Sequence, residues 1–494
     1  MTNIESIKAY FSSELVLILG VFLLLFVAIR KKKNTQPSPG VLTLITLLLS
    51  LFALVFTHFT ESVSLFSGMI ALDPFGQFFK VIIISVAVVC VVMASRSKDI
   101  VKMPRPEFYA FLLFLTLSLN ILCVANHLLT IYLAVEMSSL VSYMLTVFLA
   151  DDSRSEEAGL KYVLYGGVAS GIMIFGMSLL YGLTGHLGLA EIRGVLEAGQ
   201  SDPLVLFLAT LMIFTGLGYK MAVAPFHMWS PDVYEGAPMP VTAYLSVASK
   251  AGAFAITLRF FLVGFSSLAG NDLWVALGRI DWPFLIAALS ALTMTVGNVI
   301  ALHQKNIKRF LAYSSIAHAG YLLMGVAAVS RIGVEAIMFY FIIYLLMNLG
   351  AFFVATIMAN QFQTENMDDY KGLIKQGSFG TFLAISMTIF LFSLTGIPPF
   401  AGFVAKWYIF QAVVDAQLYW LAVVGVVNAG VALFYYVRLI KYMVIDEKQS
   451  EMPVKNINSR YISFIAVFVF FTLFFGLYFA PIANWVKASA HLLY

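Results

Sequence analysis

The sequence predicts an all-α polytopic membrane protein with fourteen transmembrane helices in one domain, residues 1–494. Three observations lead to this prediction: the apolar composition, the recurrence of long apolar stretches, and the alternation of basic loops. Hydrophobic residues make up 61% of the chain and charged residues 11%, whereas soluble domains carry about 25% charged residues. A helix needs about 20 apolar residues to cross a bilayer, and stretches of that length recur from end to end.

Each apolar stretch is predicted to be a helix, because an open sheet edge leaves backbone groups unsatisfied in lipid. The predicted spans are residues 13–29, 41–58, 75–94, 108–125, 128–149, 160–184, 204–225, 240–262, 282–302, 308–329, 334–358, 380–415 (interrupted), 418–437 and 461–482. The first span is followed by four basic residues, 30–33, and by no small-residue cleavage site. This favours a retained helix over a signal peptide.

The basic residues predict the orientation of the spans. Twenty of the 30 Lys and Arg residues lie in alternate loops, at 30–40, 95–107, 150–161, 303–309, 359–379 and 438–460. The other loops and both termini hold only Lys8, Arg193, Arg279, Arg331 and Lys487. Since basic loops stay on the cytoplasmic side, both termini are predicted on the non-cytoplasmic side of the membrane.

Two spans are interrupted by Pro and Gly. The seventh contains prolines at Pro225, Pro231, Pro238 and Pro240, and the twelfth contains the run 395–402 (TGIPPFAG). Proline removes a helix donor and clashes with the preceding turn. Non-helical backbone at membrane depth is tolerated only where protein or water covers it. Helices 7 and 12 are therefore predicted to be broken inside the membrane.

The position of the breaks predicts an internal repeat. Helices 1–3 occupy residues 1–107, helices 4–8 occupy 108–262, helices 9–13 occupy 282–441, and helix 14 lies in 461–494. Each five-helix unit carries its broken helix fourth. Because five is odd, the second unit starts from the opposite side, which gives an inverted repeat of the kind found in transporters.

Several functional classes are excluded by the sequence. The net charge is +4, but no basic stripe with interleaved aromatic residues predicts nucleic-acid binding. The two cysteines, Cys90 and Cys123, are too few for an iron–sulfur cluster and are interpreted as small core residues. No dinucleotide fingerprint or Walker loop is present. Redox chemistry and ATP hydrolysis on this chain are therefore not expected, and no metal site is predicted.

Three lysines and one glutamate lie inside apolar spans: Lys220, Lys250, Lys406 and Glu136. A charged side chain at the bilayer centre costs about 2.5–3.5 kcal/mol even on mild insertion scales. Such residues usually face a hydrated interior and mark an ion or proton path. The alternative for each lysine is snorkelling to the membrane surface, and the alternative for Glu136 is a purely structural role.

Glu136 belongs to a polar stripe on its helix, together with Tyr132, Ser139 and Tyr143. Paired with a lysine at 4 Å, its carboxylate would gain roughly 4 kcal/mol at an effective dielectric near 20. The pair would hold the lysine protonated, whereas burial alone disfavours the charged form. Making or breaking such a pair would load or release a proton.

Several other polar residues have a structural interpretation, and some of them also have a functional one. His318, in the tenth span, is either a proton relay or a satisfied core histidine. His227, in the first break, is interpreted as structural. Asp232 and Glu235 either collect protons at the cytoplasmic mouth or cap the broken helix. Lys80 and Arg259 lie near span ends on the non-cytoplasmic side, where snorkelling explains both.

Three motifs resemble one known family. Residues 132–137 (YLAVEM), 218–238 (GYKMAVAPFHMWSPDVYEGAP) and 309–321 (RFLAYSSIAHAGY) are similar to the fifth, seventh and tenth helices of the antiporter-like subunits of respiratory complex I. The twelfth-span run 396–406 (GIPPFAGFVAK) resembles the N type of these subunits, although Phe400 and Ala405 vary from its commonest form. The chain also lacks the long lateral helix of the L type.

The resemblance implies roles for the matched residues. Glu136 and Lys220 would be a switching ion pair, Lys250 the central relay, Lys406 the exit-side group, and His318 a link between two half-channels. It also implies that NADH, FMN, iron–sulfur clusters and quinone bind to partner subunits. The implied partners are neighbouring antiporter-like and small membrane subunits and the lateral helix of the L-type subunit.

The resulting expectation is a proton-translocating membrane subunit of an NADH:quinone oxidoreductase, a translocase whose redox steps occur on other chains. Two rivals share the motifs: a subunit of a multi-subunit cation/proton antiporter, and a subunit of a proton-pumping membrane hydrogenase. Two further rivals come from other classes. In one, the lysines anchor the substrate of a solute carrier; in the other, the chain is a structural spacer between pumping subunits.

Overall fold

The computed structural model describes residues 10–30, 38–57, 62–95, 97, 100, 105–149, 152–199, 201–268, 274–277, 280–447 and 459–490. The basic loop positions that lie outside these ranges are Lys8, Lys31, Lys32, Lys33, Arg96, Lys98, Lys102, Arg279, Lys448 and Lys455. The chain divides into two compact units. The first comprises residues 1–284 and 487–494, and the second comprises residues 285–486.

Helices dominate the first unit. They are α1 (Ser12–Ile29), α2 (Pro39–Phe56), α3 (Pro74–Ala94), α4 (Pro106–Val124), α5 (Leu128–Thr146), α6 (Ser153–Thr184), α7 (Leu189–Glu197), α8 (Pro203–Met221), α9 (Trp229–Gly236) and α10 (Met239–Gly264). Three of them start alike, with a capping side chain followed by proline at the first helical position. Ser38, Asp73 and Asp202 each accept a backbone N–H of the first turn, an arrangement that favours helix initiation there.

The second unit is also helical. Its helices are α11 (Trp282–Ala301, which begins at the end of the first unit), α12 (Ile307–Ala327), α13 (Arg331–Phe362), α14 (Gly377–Thr395), α15 (Ala401–Asp415), α16 (Tyr419–Val444), α17 (Ser459–Leu477) and α18 (Ala480–Ser489). Two short 3₁₀ turns, Met367–Tyr370 and Leu373–Lys375, lie between α13 and α14.

The prediction of an all-α polytopic membrane fold is confirmed. Thirteen of the described helices are long and apolar enough to cross a membrane, and a bent pair, α17 with α18, brings the number to fourteen. That pair turns by 84° after Leu477, a bend that the sequence did not predict. Two antiparallel hairpins also lie in loops, β1 (Val63–Leu65) with β2 (Ile70–Leu72), and β3 (Ser266–Leu268) with β4 (Trp274–Ala276).

Both predicted breaks are present, one in each unit. The first separates α8 from α9, and the second separates α14 from α15. The inverted orientation of the two five-helix repeats stays a prediction. One helix in each unit is buried along its whole spanning window, α10 in the first and α12 in the second. These two helices carry Lys250 and His318, so both residues lie in the interior of their units.

Snorkelling proved wrong for Lys80 and Arg259. The Nζ of Lys80 lies 2.5 Å from Oε1 of Glu14, and both side chains are buried. The guanidinium of Arg259 donates two hydrogen bonds, of 2.8 and 2.9 Å, to the carboxylate of Asp73. Both cations turn inward because a carboxylate from another helix or its cap compensates them, and a bidentate Arg–carboxylate pair is among the strongest such contacts.

Candidate proton-transfer site

The three lysines of the spans are all buried. Lys220 and Lys250 are each 1% exposed, and Lys406 is 5% exposed. Lys220 lies in the last turn of α8, directly before the first break. Lys406 lies in α15, after the second break. The alternative that these side chains snorkel to the membrane surface is therefore wrong for all three.

Lys220 and Glu136 are held by serine hydroxyls in this structure. Lys220 Nζ donates to Ser139 Oγ at 3.2 Å, and Ser170 donates a short hydrogen bond to Glu136 Oε1. Ser139 follows Glu136 by three residues on α5, so both face the same side of that helix. Glu136 is half-buried. Within the described part of the chain, the two charged groups form no direct ion pair, although they lie close enough to interact electrostatically.

The first break is closed by backbone and ring contacts. Ala222 adopts a left-handed conformation, and the N–H of Val223 reaches back to the carbonyl of Gly218 at 2.8 Å. The indole N–H of Trp229 donates to the carbonyl of Tyr219 at 2.9 Å. These bonds satisfy groups that a broken helix leaves unpaired. They fix the end of α8 and therefore the position of Lys220.

Asp232 and His227 follow the break. Asp232 Oδ2 accepts a 2.7 Å hydrogen bond from Lys161 Nζ, which lies 2.7 Å from Glu157 as well. The contact ties α9 to α6. His227 is buried, and its Nδ1 has no hydrogen-bond partner among the described residues. Glu235 lies one turn after Asp232 and is half-buried.

Lys250 is placed by an unusual turn. A π-helical turn, Leu245–Ser249, directly precedes it within α10. Such turns occur often at functional sites. Close by, α10 packs on α4, where a side chain at Gly252 would meet Leu119. The next residue of α4, Asn120, is buried, and both of its amide atoms lack a protein partner among the described residues. Buried polar groups of this kind usually bind water.

The second break holds Lys406. Its Nζ donates a 2.8 Å hydrogen bond to the carbonyl oxygen of Thr395, the last residue of α14. The same ammonium lies 4.5 Å from the centroid of the Tyr321 ring, within the range of a cation–π contact. Gly396 follows with a φ of +85°, and a Cβ there would lie 2.8 Å from Lys406 Cδ. Only glycine fits this position without strain.

His318 lies between two phenols. Its Nδ1 is 2.5 Å from the hydroxyl of Tyr340, and its Nε2 is 3.2 Å from the hydroxyl of Tyr436. The Tyr436 hydroxyl is also 2.5 Å from Ser314 Oγ. A ring with a hydroxyl at each nitrogen can accept a proton on one side and donate one on the other. His318 is thus satisfied at both ring nitrogens, and this geometry is compatible with both interpretations, a core histidine and a proton relay.

The structure brings the predicted residues together in two groups. In the first unit, Glu136 lies on α5 one turn before Ser139, the acceptor of Lys220, whereas Glu136 itself binds Ser170 of α6. His318 and Lys406 share Tyr321 in the second, since the His318 and Tyr321 rings are 6.1 Å apart. The sequence alone did not indicate the residues that contact these groups, which are Ser170, Tyr321, Tyr340, Thr395 and Tyr436. Only Tyr321 carried a local signal, because it lies one helical turn after His318.

Comparisons with known proteins identify the family. A family model described as "NADH:quinone oxidoreductase/Mrp antiporter, TM" matches residues 125–432. A NADH-quinone oxidoreductase subunit N from Anaeromyxobacter sp. (strain Fw109-5) is 41% identical, over 98% of this chain and 96% of that protein. The chain belongs to the family of NADH-quinone oxidoreductase subunit N. The resemblance to antiporter-like subunits of complex I is therefore confirmed.

Solved structures agree with this assignment. A chain of respiratory complex I from Thermus thermophilus with bound aureothin is 29% identical, with a TM-score of 0.78 over 96% of this chain and 98% of that one. A chain of the Mrp complex from Dietzia sp. DQ12-45-1b has a TM-score of 0.80 at 20% identity, over 99% and 97% of the two chains. The second likeness shows a common fold alone.

A metal centre finds no support in the described part of the chain, where no group of three or more His, Cys, Asp or Glu side chains is placed to hold an ion. The family assignment makes the chain a membrane subunit of a proton-translocating oxidoreductase. The titratable side chains gathered at the site are those of lysine, glutamate, histidine and tyrosine, which are groups that can accept and donate protons.

Proposed function

We propose that the chain moves protons through Glu136, Lys220, Lys250, His318 and Lys406, as the proton-translocating subunit N of an NADH:quinone oxidoreductase. The observation that carries this proposal is the set of three buried lysines. Lys220 and Lys406 are each held by a neutral acceptor, a serine hydroxyl and a backbone carbonyl. A purely structural buried cation would instead require a carboxylate in direct contact, as Arg259 has.

The switch lies at Glu136 and Lys220. The two groups bind separate serines in this structure, and a direct pair at 4 Å would gain roughly 4 kcal/mol at an effective dielectric near 20. Formation of the pair favours the ammonium form of Lys220, and its separation favours release of the proton. Charge movement in a neighbouring subunit that attracts or repels Glu136 would therefore load or unload Lys220.

The later steps use the buried interior. A proton leaving Lys220 passes to Lys250. The helix of Lys250 packs on α4 close to Asn120, a buried amide with no protein partner among the described residues, and buried polar groups of this kind usually bind water. In the second unit, His318 accepts a proton on one ring nitrogen and donates one from the other, through Tyr340 and Tyr436. Lys406, which shares Tyr321 with His318, is the exit-side group.

The setting of the chain follows the family. NADH, FMN, iron–sulfur clusters and quinone belong to partner subunits, and their redox steps supply the charge that moves Glu136. Partners of this chain are other antiporter-like and small membrane subunits, with the lateral helix of the L-type subunit. The chain lies in the bacterial inner membrane, with both termini on the non-cytoplasmic side, as the distribution of basic residues indicates.

A cation/proton antiporter subunit is the second candidate, because the Mrp chain shares the fold. The relatives that match over nearly the full length at 37–41% identity carry the name of subunit N instead. The genes that flank this one discriminate the two: quinone-oxidoreductase subunits support the proposal, and antiporter subunits support the rival.

The proposal is tested by Lys220→Ala in the assembled complex, reconstituted in vesicles. We expect fewer protons translocated per electron, because the switch loses its proton carrier. Lys375→Ala is the matched control, since Lys375 is an exposed lysine paired with the exposed Glu447. An unchanged proton-to-electron ratio in Lys220→Ala would refute the scheme.

A further inference from the structure

A polar cavity lies between two basic loops and the last two turns of α16, in the second unit. Its volume is about 220 Å³, and it is lined by residues 302–305, 366–368, Arg438 and Tyr442. A single water needs only roughly 10–15 Å³ of such space, so the cavity is large enough for a polar group of several heavy atoms. His303 and Lys305 are exposed, so the cavity opens to the surface.

Two cations of this cavity have no carboxylate partner. Arg438 donates a short hydrogen bond to the carbonyl of Leu302 and a 2.8 Å bond to the carbonyl of Gln304. Both acceptors are neutral, and Nε of Arg438 has no hydrogen-bond partner among the described residues. Lys305 forms no ion pair within the described part of the chain. The positive charge of both side chains is therefore left for a ligand.

The acids around the cavity are already paired. Asp368 is the only carboxylate among the lining residues, and its Oδ1 lies 2.6 Å from Nζ of Lys371. Glu365, which precedes the lining segment 366–368, lies 2.7 Å from Nζ of Lys308. Since each acid has its own lysine, neither one neutralises the two cations that line the cavity. The cavity is therefore suited to an anion.

An exposed apolar surface leads from the cavity into the spanning part of α11 and α16. Phe434 lies one turn before Arg438 on the same face of α16, and it is 73% exposed. Val299 lies three residues before Leu302 on α11, and it is 46% exposed. The hydrogen bond from Arg438 to Leu302 joins the two helices at this point. A cationic cavity thus borders an apolar seam, which matches the shape and polarity of an anionic phospholipid.

We propose that the cavity binds the phosphate of an anionic phospholipid, whose acyl chains lie along the seam of Val299 and Phe434. Lys305 and Arg438 pair with the phosphate, since hydrogen bonds from these cations to phosphate are charge-assisted. Basic pockets between spanning helices are suited to such headgroups. A choline headgroup would bring its own cation toward Lys305 and Arg438, so phosphatidylcholine is disfavoured. The site uses none of the proposed proton carriers and goes beyond the proposed function.

The test is photo-crosslinking in the complete complex, reconstituted in phosphatidylcholine vesicles. These vesicles contain a small amount of phosphatidylglycerol with a diazirine in its acyl chain. After illumination, mass spectrometry of peptides locates the label. We expect label at the end of α11 and in the last turns of α16. Added phosphatidylglycerol without the diazirine is expected to lower this label several-fold more than the same amount of added phosphatidylcholine.

Variants of Lys305 test the role of its charge. Lys305→Gln is expected to lower the label several-fold, whereas Lys305→Arg keeps the charge and is expected to retain it. Lys375→Gln is the matched control, because it removes an exposed lysine that pairs with Glu447 and does not line the cavity. Equal label in Lys305→Gln and wild type would overturn the proposal, and so would equal losses in Lys305→Gln and Lys305→Arg.

Two further measurements separate the lipid from other occupants. An excess of inorganic phosphate is expected to leave the label unchanged, because it lacks the acyl chains that occupy the seam. Displacement of the label by phosphate would assign the cavity to a soluble anion and overturn the lipid assignment. Absence of label from both helix ends in the wild-type complex would show that another subunit covers this surface, which also overturns it.

Discussion

Lys406 donates its hydrogen bond to the carbonyl oxygen of Thr395, the residue at which its own span breaks. The broken helix thus supplies the acceptor for the lysine that follows it. An intact helix would have used this carbonyl in its own ladder. The prolines and the lysine therefore act together. Pro398 and Pro399 interrupt the helix, and the carbonyl that is left free accepts a hydrogen bond from the buried ammonium.

Gly396→Ala is expected to disturb the hydrogen bond between Lys406 and Thr395. The residue has a φ of +85°, and a Cβ there would lie 2.8 Å from Lys406 Cδ. A left-handed conformation costs a non-glycine residue about 1–2 kcal/mol, and the contact pushes the lysine stem off its acceptor. We expect a lower proton-to-electron ratio and a lower melting temperature of the complex. Gly430→Ala is the matched control, because a Cβ at Gly430 meets nothing within 4 Å; equal effects at both positions would contradict this account.

Tyr340→Phe is expected to slow proton transfer at His318. The change removes the hydroxyl at Nδ1 and leaves one imidazole nitrogen without its partner. Loss of such a hydrogen bond costs roughly 1–3 kcal/mol when it leaves a buried group unsatisfied. Because electron transfer is coupled to pumping, we expect the rates of quinone reduction and of proton translocation both to fall several-fold. Both rates are measured in the reconstituted complex. Tyr370→Phe serves as the control, since the buried Tyr370 hydroxyl has no hydrogen-bond partner among the described residues. Full pumping in Tyr340→Phe would show that the relay runs elsewhere.

Arg259→Met is expected to destabilise the first unit. Removal of one partner from a buried ion pair costs about 3–5 kcal/mol, because Asp73 keeps an uncompensated charge. The surface pair Arg154–Asp152 is the comparison, and loss of an exposed pair costs only about 0–1 kcal/mol. Thermal unfolding of the purified complex measures both. Similar losses from Arg259→Met and Arg154→Met would contradict the buried pairing.

The sequence was sufficient to predict the spans, the breaks and the buried lysines, because each depends on local composition. A lysine deep in an apolar stretch cannot easily reach the membrane surface, so its burial can be predicted, as for Lys250. Whether the side chain of Arg259 is buried or reaches the membrane surface depended on Asp73, which lies 186 residues away. Near the end of a span, both snorkelling and burial were compatible with the local sequence, and only the distant carboxylate decided between them.

The partners of the site residues were unpredictable for the same reason. Tyr436 is 118 residues from His318, and Ser139 is 81 residues from Lys220. Tyrosine and serine are common in spanning helices, so neither stands out until the fold places it. Asn298 and Asn428, which share a hydrogen bond, likewise lie on different helices, 130 residues apart.

Lys406→Arg tests most directly whether the buried lysines transfer protons or merely carry charge. Arginine stays protonated in proteins, keeps a positive charge and still donates hydrogen bonds, so it preserves the electrostatics at Thr395 and Tyr321. Lys375→Arg, on the exposed surface, is the control. The measurement is the number of protons translocated per electron by the reconstituted complex. A marked fall in Lys406→Arg is the predicted result, and a wild-type ratio would contradict proton release from Lys406.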